Sequence, residues 1–185
     1  RNVEKIYVDT IVDEGTLNKN NTNFEIINLK GHTLASIGIL TKDGVLFAGD
    51  LLVGEEVLNK YDFLFLQDVE EYLKSLDKIQ SLDFNYLVLA HGRKVLDKDS
   101  TMLLINKHRQ AIYKYLNQIK ENLKVPMNID ALLKKIIKEN ELTYNYKEYY
   151  FFRTSLVTCI SYLADLDEID YTLEDSDLLY YTKIK

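Results

Sequence analysis

The chain has 185 residues, 46% hydrophobic and 28% charged, with seven glycines and one proline. This is the composition of a globular protein that can bury a core, in one ordinary domain or one plus a small appendage. A net charge of −6 and a pI of about 5.1 argue against broad attraction to nucleic acid or to an anionic membrane. The single cysteine, Cys159, excludes an internal disulfide, and with no run of 18 apolar residues and no leader-like segment the expected location is cytoplasmic.

In chain order, "KIYVDTIV" (5–12) and "NFEIINLK" (23–30) read as strands, separated by "DEGTLNKNNT" (13–22), which has a loop composition. "SIGILT" and "VLFAG" flank "KDG", and Asp-Gly between two apolar runs predicts a hairpin with positive φ at both central turn positions. These two runs barely alternate, which predicts burial on both faces. "LLVGEEVLNKYDFLFLQ" (51–67) reads as an irregular apolar loop. Leu73, Leu76, Ile79 and Leu82 then fall at helical spacing, with Asp68 as the N-cap. "NYLVLAHG" (85–92) is a short strand ending at His91-Gly92, and 97–124 is a long helix with Ile105, Ile112, Leu116, Ile119 and Leu123 on one stripe.

Pro126, the only proline, marks a boundary and divides the chain into 1–124 and 125–185. Beyond it come helices over 128–140 and 146–165, then strands "EIDYTLE" and "LLYYTKI" around the tight turn "DSD". Ile169, Tyr171 and Leu173 alternate with polar residues as in a half-buried strand. Helices followed by a two-stranded hairpin make a small winged-helix-like α+β domain.

Three motifs share one design. "GHT", "GD" and "AHG" each follow a strand and place His32, Asp50 and His91 beside glycine. Glycine allows a sharp backbone turn and a close approach by a metal. Two imidazoles and a carboxylate suit zinc or a similar borderline ion. The intervals of 18 and 41 residues are too long to define a closed local site by themselves.

"GHTLASIGILTKDGVLFAGDLL" and the later "YLVLAHG" resemble successive motifs of the metallo-β-lactamase superfamily, over about residues 5 to 120. The resemblance implies an α/β fold, the C-terminal half of a four-layer αββα sandwich, followed here by a winged-helix-like tail. It implies a binuclear metallohydrolase in which a metal-activated hydroxide attacks an ester, thioester, amide or phosphodiester. His32 would bind the first metal, Asp50 would bridge both, and His91 would bind the second. Zinc is the implied ion, with iron or manganese also suited to these ligands. Thr33, Ser36, Gly49 and Gly92 would support them, the hydroxyls by hydrogen bonding around His32.

The family's His-x-His-x-Asp-His signature is absent from the sequence. Each metal is left with two ligands, whereas stable zinc sites use three or four. The expectation is therefore a fragment of a larger hydrolase, inactive alone, whose N-terminal half lies in the same or a separate polypeptide or whose open face is covered by self-association. The partner expected at the site is a small-molecule substrate, and no membrane partner is expected. His108, on the long helix beside Arg109, reads as structural, as does Cys159. Neither Thr33 nor Ser36 has a base placed to make it a nucleophile. Tyr149, Tyr150, Phe151 and Phe152 read as core or interface anchors. The alternatives are a non-catalytic partner-binding or dimerisation module and a winged-helix nucleic-acid binder. The second is weakened by the tail's charge: residues 126–185 hold seven Lys/Arg against eleven Asp/Glu.

Overall fold

The computed structural model describes residues 5, 7, 8, 10–60, 63–91 and 94–183. Six strands form one mixed sheet in sequence order: β1 (Gly15–Lys19), β2 (Thr22–Asn28), β3 (Ile37–Thr41), β4 (Val45–Phe47), β5 (Tyr86–Val88) and β6 (Val95–Asp97). β1 corrects the reading of 13–22 as a loop. Asn20 and Asn21 both take positive φ, 51° and 60°, and turn β1 back onto β2; asparagine tolerates that conformation. The strand expected over 5–12 does not form: Lys5, Tyr7, Val8 and residues 10–12 are in no strand, and Ile6 and Asp9 lie outside the described residues.

The Lys42-Asp43-Gly44 turn joins β3 to β4 as predicted, in a different geometry. Only Gly44 has positive φ (79°), and its N–H donates to the Thr41 carbonyl at 3.0 Å. This is a three-residue connection closed by one left-handed residue, not a two-residue turn with two. Thr41 Oγ1 ties the neck by bonding both the N–H and the carbonyl of Val45.

The pairing directions position the site. β3 is antiparallel to both β2 and β4, and β4 is parallel to β5. The C-terminal ends of β2, β4 and β5 therefore emerge at one edge of the sheet. The parallel step requires a crossover, which runs through α1 (Glu55–Lys60) and α2 (Val69–Ser81). α1 lies inside the stretch read as irregular loop. α2 starts where Asp68 accepts from the Glu71 N–H, as its sequence predicts. The long helix α3 (Lys98–Asn122) follows β6, and its predicted stripe is buried.

One face of the sheet carries Leu46 and Leu87, both fully buried with Leu76 and Ile79 of α2 and Ile105 of α3 in a shared core. On the other face, Phe47, Val88 and Val95 line up in register, and Phe47, Tyr86 and Val95 are 44%, 52% and 62% exposed. The expected burial on both faces thus holds only on the helix side among the described residues.

The tail comprises α4 (Ile129–Glu139), α5 (Tyr146–Asp165) and the hairpin β7 (Ile169–Glu174) and β8 (Asp177–Thr182). Its core residues Leu132, Ile136, Leu156 and Cys159 belong to the same buried cluster as the helices behind the sheet. Polar links reinforce this packing: Ser155 Oγ accepts from the Leu66 N–H at 3.1 Å, and Thr182 Oγ1 donates to the Lys120 carbonyl at 2.6 Å. Tyr171 and Leu173 are 62% and 70% exposed, so the apolar alternation of β7 buries only Ile169.

Candidate metal centre

His32 lies four residues past β2, Asp50 three past β4 and His91 three past β5, all at the shared edge. His32 Nε2 is 3.9 Å from Asp50 Oδ2, and His91 Nε2 is 3.2 Å from Asp50 Oδ1. Asp50 thus stands between the two imidazoles and turns one oxygen to each. The His32 side chain is 27% exposed and that of His91 67%.

The local backbone explains these positions. Gly31 has φ 126°, and a Cβ there would lie 2.3 Å from the Cα of Tyr72. Only glycine allows that approach. The Gly31 carbonyl accepts from the N–H groups of Gln67 and Asp68, which pins the His32 loop to the start of α2. Gly49, at φ 55°, opens the 3₁₀ turn Gly49–Leu51 that carries Asp50. The Gly54 N–H donates to the His91 carbonyl at 3.3 Å, joining the segments that follow β4 and β5. Gly92 lies outside the described residues.

The His32 ring is oriented by its neighbours. Its Nδ1 is 3.1 Å from the Phe65 carbonyl. A carbonyl only accepts, so the neutral ring carries its proton on Nδ1, and Nε2 faces Asp50 with a free lone pair. Thr33 and Ser36 bond to each other, hydroxyl to hydroxyl at 2.7 Å, and brace the loop instead of the His32 ring. The donors present suit a metal, one imidazole on each side of Asp50. Among the described residues no group of three or more His, Cys, Asp or Glu side chains is gathered to hold an ion by itself.

His108 is structural, and its partners bear on the site. It is fully buried, with Nδ1 2.6 Å from Tyr72 Oη and Nε2 3.0 Å and 3.3 Å from the Val53 carbonyl and N–H. Tyr72 Oη is also 2.8 Å from the Leu51 carbonyl. The contacts divide between two neutral tautomers: with the proton on Nδ1, His108 donates to Tyr72 Oη, Tyr72 to the Leu51 carbonyl and the Val53 N–H to Nε2, whereas with the proton on Nε2, His108 donates to the Val53 carbonyl and Tyr72 to Nδ1. Burial pushes the His108 pKa down to about 4, the Val53 backbone pulling weakly the other way, so the ring is neutral near pH 7. The network holds Leu51 and Val53, the residues that follow Asp50.

The three predicted ligands open onto a cleft of about 350 Å³. Its other walls are mostly apolar and include Val57, Phe63, Leu64 and Phe65, with Phe151 and Phe152 of α5. Phe65 is hidden in a run that reads as loop, and its bond to His32 uses a backbone carbonyl that no residue type signals. The helical spacing of Tyr72 with Leu76 and Ile79 marks its burial but not its hydroxyl's partners.

No protein-family model matches the chain. A β-lactamase domain protein from Burkholderia ambifaria superposes with a TM-score of 0.74 at 15% identity, covering 93% of this chain and 52% of that one. A metallo-β-lactamase family protein from Thermus thermophilus gives 0.71 at 15% identity, covering 93% and 54%. In sequence, hydroxyacylglutathione hydrolase 1 of Vibrio vulnificus (strain YJ016) is 32% identical over 117 residues, 61% of this chain and 44% of that protein. The chain is similar in fold and in sequence to proteins of the metallo-β-lactamase superfamily. A second curated relative, the beta-lactamase-like protein 2 homolog of Drosophila melanogaster, is 25% identical over 123 residues, 64% of this chain and 40% of that protein. The chain spans under half the length of these two relatives and about half that of the two structures.

Proposed function

We propose that this chain is the C-terminal part of a metal-dependent hydrolase, with His32, Asp50 and His91 as its share of a two-metal site. The observation that carries this reading is the row of three side chains at one sheet edge, with one Asp50 oxygen turned to each imidazole. That is what a bridging carboxylate requires. The V. vulnificus relative, named as a hydrolase, supports the reaction class.

Metal ions held there would supply Lewis acidity and an acidified water, and zinc, iron or manganese all suit these donors. The chain's own groups have separate tasks. The Phe65 carbonyl holds His32 in the tautomer that frees Nε2. The Tyr72–His108 network holds the backbone that follows Asp50. With two donors per ion, the chain alone is proposed to bind metal weakly and to be inactive. The other donors would come from an N-terminal half of the sandwich, in the same or a separate polypeptide. That half would pack on the open face around Phe47, Tyr86 and Val95. The same open face supports a second reading, a non-catalytic module that covers it by self-association or with another partner. Residues 125–185 are proposed as a winged-helix-like domain whose α5 walls the cleft. Their acidic balance weighs against nucleic-acid binding.

Hydrolysis by the intact protein tests this. Asp50→Ala is expected to abolish turnover of esters or thioesters that the wild type cleaves, and retained turnover would remove Asp50 from the bridging role.

A further inference from the structure

The cleft beside the ligands is lined by rings in contact. His32 meets Phe65 edge-on at 5.3 Å, and Phe65 meets Phe151 of α5 at 5.1 Å. Behind them Phe63 stacks on Phe152 at 5.9 Å and on Tyr115 at 4.4 Å. Phe63 and Phe152 are each 4% exposed and form a fixed floor, whereas Phe151 at the rim is 49% exposed. An apolar ring held in water at the mouth of a cleft gains most when a ligand covers it. The described lining residues include two carboxylates, Asp50 and Glu148, and no lysine or arginine. That favours an uncharged apolar chain over a polyphosphate backbone, which needs a basic face.

We propose that the substrate is a carboxylic ester or thioester whose acyl group is an apolar chain, laid from the His32–Asp50–His91 edge along Phe65 onto Phe151. The selectivity rests on the hydrolase reading for its chemistry; the acyl-binding surface does not. The cleft, about 350 Å³, has room for an apolar acyl chain beside the proposed ligands. In the reaction the oxygen of water bonds to the acyl carbon and the C–O or C–S bond breaks. The leaving alcohol or thiol takes one proton from that water, and the acid ionises to release the other. Phe151 belongs to the tail, so the tail helix sets which acyl group is accepted.

The test has two arms on the intact protein. In the first, metal is removed and neutral amides from acetamide to octanamide are titrated while histidine and phenylalanine ring signals are followed by NMR. Octanamide is expected to shift His32, Phe65 and Phe151, and affinity to rise roughly fourfold per methylene. Phe151→Ala, at an exposed position that leaves the core intact, is expected to weaken octanamide at least tenfold. Absence of shifts, or equal affinity along the series, overturns the proposal whatever the hydrolysis result. In the second arm the zinc-loaded protein is given N-acetylcysteamine thioesters of the same chain lengths. A kcat/KM that climbs with length, and climbs less in Phe151→Ala, supports the proposal; a flat series overturns it. Amide binding without hydrolysis of any thioester or matching ester would sink the hydrolase reading and leave the acyl-binding surface standing.

Discussion

At Asp50 the chemistry depends on what its neighbours hold in place. His32 gives its Nδ1 proton to the Phe65 carbonyl and keeps Nε2 free. The residues after Asp50 are tied by Tyr72 and His108. Tyr72→Phe deletes one hydroxyl from this buried network and is expected to cost about 1–3 kcal/mol in urea unfolding; an unchanged midpoint would show that the bonds carry no stability. His108 adds a pH dependence. Its folded pKa lies near 4, below the ordinary 6.5, so on acidification the unfolded chain takes up the proton first. The neutral ring's contribution is whole above about pH 6.5, falls as the pH drops, and is spent by about pH 4, a loss of about 3 kcal/mol. His108→Asn takes up no proton. It is expected to be less stable than wild type at pH 7 but to lose about that much less between pH 6.5 and 4. Parallel losses in the two proteins would contradict the assignment.

Among the elements, α5 links the tail to the site. It begins with a reciprocal cap, in which Asn145 accepts from the Lys147 and Glu148 N–H groups while Glu148 accepts from the Asn145 N–H. It buries Phe152 against Phe63. Phe152→Ala is expected to cost about 3–5 kcal/mol by thermal or urea unfolding; a loss below about 1 kcal/mol would mean that α5 is not fastened through this ring. The bounds of α5 are legible in its sequence, as are β2, α2, α3 and α4, because each combines a clear periodicity with a cap or a turn signal. β1 is not. "GTLNK" is a mostly exposed edge strand with one apolar side chain, formed because Asn20 and Asn21 fold it onto β2. α1 is hidden because it has six residues and buries only Leu58. The pattern of β7 is legible, but Tyr171 and Leu173 stay exposed because the described residues supply nothing to cover that face of the hairpin. His32, Asp50 and His91 can be found because ligand-type residues beside glycine end three apolar runs. The Phe65 carbonyl cannot, since every residue has one.

For the whole molecule, the proposed function gives the open face and the short set of proposed ligands the same explanation. Phe47, Tyr86 and Val95 form an apolar patch on which a second sheet would pack, and the proposed ligands His32, Asp50 and His91 would supply two donors per ion. The 185-residue chain is therefore expected to bind zinc weakly in calorimetry, and tight stoichiometric binding would contradict a shared site. On the second reading, in which copies cover the face, replacing Phe47 and Tyr86 by lysine is expected to reduce self-association in sedimentation; no change would overturn that reading. The central claim is that Asp50 serves two metals at once, and the metal content of the intact protein tests it most directly. The account predicts two ions per chain in the wild type and loss of both in Asp50→Ala; a variant that keeps both would contradict it.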